Sequence, residues 1–316
     1  MYRALRVPFE WLAIGLGWAI LPFLSRAGVL RLARLIADCG SAFDARGKAV
    51  CRANLRVMFP GRMTPHRERV IIRHAYRNMM RVLLNIFWMS RNTRARMAEQ
   101  VIFKPGLFEE IKKNIPAVTV SAHVGNWEIL SQACVVNGFP MMSVAKEIGS
   151  AGMTALLTRA RATIGQEIVP VEGAVRPLFR ALKTGKSIGL LIDQHTNVWD
   201  GGTWVTFFGL SSGISLVPFT LARKCGVPII FAWSRPLKDG RYRIEPGVIL
   251  PPDPDAEDAA RAQQIATAFE RVIRRHPALW CINYRRWRYI RPGDDPARYP
   301  SYAKLHKRDR LQAEAN

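Results

Sequence analysis

The sequence predicts an α/β fold, a mixed and mainly parallel sheet flanked by helices, with a helical arm at its N-terminus. Three observations predict it. From about residue 117, short β-branched runs alternate with helical stretches; the first hundred residues carry long helical patterns; and no repeat or low-complexity linker divides the chain. The simplest partition is an arm over 1–45, one main domain over 46–300 and a polar tail over 301–316.

The arm opens with an uninterrupted apolar stretch, WLAIGLGWAILPFL, from Trp11 to Leu24. Its 14 residues fall short of the roughly 20 that cross a bilayer core, and Pro22 interrupts it. Glu10 abuts the run and no small-x-small site follows, which argues against a cleaved signal peptide. Trp11 and Trp18 favour headgroup depth, and Arg31 and Arg34 follow within VLRLARLI, whose Val29, Leu32, Ala33 and Ile36 share one stripe. That pattern predicts a basic amphipathic arm that lies on a membrane or barely spans it as an anchor, with a buried core helix as the alternative. Residues 65–90 predict a long helix with Pro65 at its first position. Its Met79, Met80, Leu83, Leu84, Phe87 and Trp88 suit core packing first and a greasy channel second.

The elements beyond follow in order. AVTVSA (117–122) reads as a strand, 127–137 as a helix, 141–145 as a strand, 151–164 as a helix and EIVPV (167–171) as a strand. Then come a helix at 175–184, a strand at 187–193, a helix at 214–225, strands at PIIFAW and YRIEPGVIL, and a helix at 256–275. Ligands of such sheets gather at the carboxyl ends of strands.

The chain has 316 residues and a formal charge of +23, implying an anionic partner. Residues 1–100 hold 18 basic and 5 acidic side chains, 101–270 hold 17 and 15, and 271–316 hold 12 and 4. Basic ends around a nearly neutral middle favour an anionic membrane surface over nucleic acid. Five widely spaced cysteines, with no CxxC and no histidine at ligand spacing, suggest neither a disulfide framework nor a metal site. No cofactor is expected.

The most informative string is SAHVGNWEIL, where the first strand ends. His123 closes the strand, Gly125 permits a tight turn, Asn126 is a good N-cap and Glu128 falls in the first turn of the next helix. His123 and Glu128 can meet because the histidine precedes the helix. The helix N-terminus favours an ionised Glu128 and disfavours a protonated His123. A neutral imidazole steered by a carboxylate is the apparatus of a general base.

HVGNWE resembles the H-x4-D/E motif of glycerolipid acyltransferases, in the form seen in the lipid A late acyltransferases (the lauroyl/myristoyl transferase family). ANLRVMFP (53–60), the helix with Tyr76, Arg77 and Asn78, DQ at 193–194, TFFG at 206–209 and HPALWCINYRRWR (276–288) also resemble that family's blocks. The likeness covers about residues 45–290. Departures are Lys146 where the family commonly has Arg, Thr206 in place of Pro, and a long TNVWDGGTW link (196–204).

The resemblance implies a glycerolipid acyltransferase-like fold and transfer of an acyl chain from a thioester donor to a hydroxyl of a lipid A precursor or related glycolipid. The donor is acyl carrier protein in most of the family, with acyl-CoA the alternative, and the expected location is the cytoplasmic face of the inner membrane. His123 then removes the hydroxyl proton, Glu128 holds the imidazole, and no covalent acyl-enzyme forms. Lys146, or amides near Gly125 or Gly209, are the candidate oxyanion donors. Asp193, Gln194 and Asn126 join Lys146 and Gly209 as candidate substrate contacts. His195 is expected to be a loop residue. Two other classes compete. GLSSG (209–213) matches the nucleophile elbow of serine hydrolases, with Ser211 as nucleophile and Asp239 and His276 downstream. A non-enzymatic basic membrane protein would leave His123 and Glu128 unused.

Overall fold

A computed structural model describes residues 2–145, 151–162 and 164–309. Five helices come first: α1 (Tyr2–Ile20), α2 (Arg26–Phe43), α3 (Ala45–Met58), α4 (Pro65–Met89) and α5 (Thr93–Gln100). The alternating part contains β1 (Val101–Phe103), α6 (Leu107–Lys113), β2 (Val118–Ser121), α7 (Trp127–Val136), β3 (Met141–Ala145) and α8 (Ala151–Ala162). It continues with β4 (Glu167–Pro170), α9 (Val175–Lys183), β5 (Ser187–Leu191), β6 (Gly202–Phe207), β7 (Leu210–Ser215) and α10 (Val217–Cys225). β8 (Ile229–Pro236), β9 (Tyr242–Leu250) and α11 (Asp258–Arg275) follow, then short β10 (Tyr289–Ile290) and β11 (Lys304–Leu305).

The main sheet runs β1-β9-β8-β2-β5-β3-β4. β8, β2, β5, β3 and β4 are mutually parallel, while β9 pairs antiparallel to β8 and carries β1 parallel to itself. The expected mixed, mainly parallel sheet is therefore present. β2 and β5 lie at its centre because Val118, Val120, Ala122 and Ile188 are apolar on strands covered from both faces, as parallel strands must be. One apolar cluster unites those strands with α9, α10 and α11; a second joins α2 and the end of α4 to α7 and β9.

The arm is seated on α4. Val29 and Ala33 of α2 are buried in the second cluster with Phe87 and Trp88, Trp88 donates its indole N–H to the Leu24 carbonyl, and Asp38 receives Arg73 and Arg77. Trp11, Leu12, Leu16 and Ile20 of α1, with Phe23 and Phe43, remain exposed. Among the described residues no helix is long and apolar enough to cross a membrane.

One expectation needs correcting: the helix placed from 214 starts at Val217, because Leu210–Ser215 pairs with Gly202–Phe207 as an antiparallel hairpin turning at Phe208 and Gly209. In the polar tail β11 pairs with β10 and the Tyr302 hydroxyl donates to Asn54, while 310–316 lie outside the described residues.

Candidate active site

The register of the two central strands builds the site. Ser121 of β2 is opposite Leu191 of β5, so the residues two further on, His123 and Asp193, emerge side by side at the carboxyl edge. The Nδ1–H of His123 donates to Asp193 Oδ1 at 2.6 Å. The Trp280 indole N–H donates to Oδ2 at 2.8 Å, and Asp193 is 3% exposed. With Nδ1 so engaged, Nε2 is the nitrogen that carries the basic lone pair.

The imidazole's partner is therefore Asp193, where Glu128 was expected. Glu128 occupies the first turn of α7, but Arg161 of α8 grips it, reaching Oε1 at 2.7 Å and Oε2 at 3.0 and 3.1 Å. Such a two-pronged guanidinium contact fixes the carboxylate's direction as well as its charge. Glu128 thus stands close enough to act on His123 through its field, without the hydrogen bond.

Asp193, with a smaller part from Glu128, reverses the expected effect of the helix N-terminus. Burial opposes charge on His123, but the Asp193 charge and hydrogen bond, aided by Glu128, outweigh it and raise its pKa above the ordinary imidazole value. Burial would likewise raise Asp193, yet the imidazole and the Trp280 N–H hold it below the usual carboxylate range. A nearby carboxylate acts at full charge, whereas a helix end carries about half of one.

The turn between β2 and α7 is tied on three sides. Gly125 has φ of +68° and donates its N–H to the Leu279 carbonyl at 2.9 Å; Asn78 of α4 donates to both the Gly125 and Leu279 carbonyls at 3.1 Å. Asn126 Oδ1 accepts from the Ile129 N–H as the N-cap, and its own N–H donates to Ser234 Oγ at 2.9 Å. Cys281 N–H donates to the His123 carbonyl at 2.9 Å. The segment around Trp280 thus reaches the site through the backbone as well as through Asp193.

The other expected site residues fall as follows. Asn126 is fully buried beneath the turn, so what it visibly does is cap α7. The Gly125 amide is committed to Leu279 and is not a free oxyanion donor. Gly209 sits at the hairpin tip, its carbonyl accepting from Arg298, and lines a groove with Arg56 and Tyr299 that none of the His123 partners shares. Gln194 is exposed at the strand end, next to Asp193. Lys146 lies outside the described residues. His195 is a loop residue as expected: its Nδ1 accepts from Gly213 N–H and its Nε2 donates to Asn197 Oδ1, while burial and the Arg286 charge lower its pKa to about 3.

The hydrolase elbow is absent. Ser211 is paired within β7 with Thr206 of β6, not perched between a strand and a helix. Asp239 bonds Arg241 in the turn before β9, and the His276 ring packs on Trp233.

Two clefts are walled by residues that touch the His123–Asp193 pair, Trp127 beside the imidazole and Trp280 on the carboxylate. One, under the first turn of α7, is lined by Trp127, Glu128 and Arg161 and runs past Leu130, Met141 and Leu190. The other, of about 250 Å³, lies between α2, α4 and the Trp280–Asn283 segment and is walled by Ile36, Met79, Met80 and Cys281. Leu84, Phe87 and Trp88 are core, as first expected, with Leu83 and Met80 packed against them; Met79 and Met80 also face this cleft.

Sequence reasoning missed Arg161 and the orienting roles of Asp193 and Trp280. The family model for bacterial lipid A biosynthesis acyltransferases matches residues 1–289. A phosphatidylinositol mannoside acyltransferase of Mycolicibacterium smegmatis is 26% identical over 295 residues, covering 89% of this chain and 94% of its own. The enzyme of the same description from Mycobacterium tuberculosis strain H37Rv is 24% identical over 296 residues, covering 89% of each chain.

Proposed function

Because the chain belongs to the bacterial lipid A biosynthesis acyltransferase family, and so is a membrane-associated lipid acyltransferase, we propose that it O-acylates an anionic glycolipid by direct displacement, with His123 as general base. The observation that carries this reading is the His123–Asp193 hydrogen bond at the carboxyl edge of two adjacent central strands. Asp193 fixes the tautomer and stabilises the imidazolium, as the acid of a catalytic triad does. Nε2 takes the proton of the acceptor hydroxyl, the oxygen attacks the thioester carbonyl, and the tetrahedral adduct collapses with expulsion of thiolate. The imidazolium returns its proton to that sulfur. Such proton transfer contributes about 10²- to 10⁴-fold in rate.

Acyl carrier protein is the proposed donor, with acyl-CoA as the alternative, and the cytoplasmic face of the inner membrane is the proposed location. The acceptor is a lipid A precursor or a related glycolipid. The family model favours the former, and the mycobacterial relatives, which by description acylate phosphatidylinositol mannosides, favour the latter. The apolar wall beside Glu128 suits the carbons next to a thioester, and the cleft beside Trp280 suits a second lipid. The exposed apolar side chains of α1 and α2 suit a bilayer surface.

Mass spectrometry of host lipids with and without the gene tests the acceptor: loss of one acyl mass from lipid A, or from an inositol glycolipid, decides between them. If no lipid loses an acyl mass, the substrate class is wrong. His123→Ala is expected to abolish transfer from acyl carrier protein thioester while leaving the fold intact.

A further inference from the structure

α2, α3 and α4 enclose an open cleft of about 270 Å³ that takes no part in the chemistry above. Lys48 and Arg52 of α3 and Arg69 and Arg73 of α4 line it, with Asp38 and Ser41 of α2 beneath. Asp38 accepts two hydrogen bonds each from Arg77 and Arg73, which together hold its carboxyl well below the usual range. Arg52 pairs with Glu68 at 2.9 Å, and Lys48 Nζ donates to the Ala42 carbonyl at 3.1 Å. Arg69 is exposed. Lys48, Arg52, Arg69, Arg73 and Arg77 against Asp38 and Glu68 leave three positive charges in excess.

The same α2 that floors this cleft presents Leu35 and Phe43 to solvent, 62% and 89% exposed. A concave cationic site facing outward beside exposed apolar side chains matches the chemistry of a phosphate with hydrocarbon next to it. Donors from two helices converge on one hollow, which diffuse surface attraction does not require. We propose that this cleft binds a phosphate-bearing group, supplied by the headgroup of an anionic phospholipid in the bilayer on which the arm lies. The apolar neighbours favour a lipid over free phosphate as the source. The site stands apart from the acyl-transfer reading and is tested by binding, not by turnover.

The test uses the full chain. Lys48→Gln/Arg69→Gln removes two cleft cations, and Arg46→Gln/Arg62→Gln removes two exposed cations that do not line it. Each protein is sedimented with phosphatidylcholine vesicles with and without phosphatidylglycerol, and its melting temperature is read with and without inorganic phosphate. The cleft variant is expected to bind phosphatidylglycerol vesicles at least about tenfold more weakly than the parent, the control pair to lose markedly less, and Arg69→Lys to bind as the parent does. If inorganic phosphate stabilises the parent and not the cleft variant while vesicle binding is unchanged, the cleft takes phosphate but the lipid source is overturned. If both pairs weaken vesicle binding equally and phosphate distinguishes neither, the site itself is overturned. Should the double variant melt early without ligand, Arg69→Gln alone, at an exposed position, carries the same comparison.

Discussion

Trp280 donates its indole N–H to one oxygen of Asp193 while His123 donates to the other, so both oxygens of an enclosed carboxylate are committed in opposite directions. Trp280→Phe keeps an aromatic ring near Phe207 and Trp287, whose centroids lie 6.1 and 6.4 Å away, and deletes the donor together with part of the buried ring system. A hydrogen bond to a charged group contributes about 1.5–3 kcal/mol, so kcat is expected to fall roughly ten- to hundredfold with KM little changed. Steady-state kinetics at saturating donor check this; an unchanged kcat would show that the carboxylate orients the imidazole without help.

The pH dependence follows from the same pair. On the proposed mechanism transfer needs His123 with Nε2 unprotonated, so kcat/KM is expected to fall as pH drops through its pKa, which lies above the ordinary imidazole value. Asp193→Asn removes the charge that opposes burial, and the acid limb then moves to lower pH while the plateau falls about a hundredfold or more. Glu128→Gln moves the limb the same way by less. A profile of kcat/KM from pH 5 to 9 (about the usable range for such assays) separates the two carboxylates, and a larger shift for Glu128→Gln would return the orienting role to it.

Gly125→Ala is expected to be severe. The added Cβ would stand 1.6 Å from the Ser234 carbonyl oxygen, on a residue whose φ is already positive. Strain and collision together cost about 3 kcal/mol or more, enough to lower the melting temperature by several degrees and to displace His123. Calorimetry and activity are expected to fall together, and a soluble variant with parental stability contradicts the geometry.

Membrane attachment has its own test. Phe23 and Phe43 are 67% and 89% exposed, so replacing both with Ser removes little packing. Vesicle binding is expected to weaken by about tenfold or more, with the melting temperature within about a degree of the parent. Equal binding by the variant would place the membrane face elsewhere.

Local pattern carried most of the fold. Met141–Ala145 and Tyr242–Leu250 fall where alternation and β-branching place them, and Thr64, Asn126 and Pro65 mark helix starts that the chain uses. The hairpin Gly202–Ser215 was harder to read, since its glycines and serines resemble a turn before a helix. His123 was legible from its place between a strand and a capped helix. Its partner was not, because the pairing depends on β2 lying beside β5 in a fixed register, a long-range fact absent from any window of sequence. Arg161 escaped for the same reason: 33 residues separate it from Glu128, and only the packing of α8 near α7 joins them.

α8 has two neighbours that matter. Toward the arm, Gly152 lets it approach so closely that a Cβ there would meet Ile14 at 2.7 Å and the Trp11 ring at 3.3 Å, and Arg159 lies over Trp18. Toward the interior, Arg161 of the same helix grasps Glu128. One helix therefore links α1, whose Trp11 is exposed, to the acid beside the imidazole, so a tilt of α1 is expected to be felt one helix away from His123.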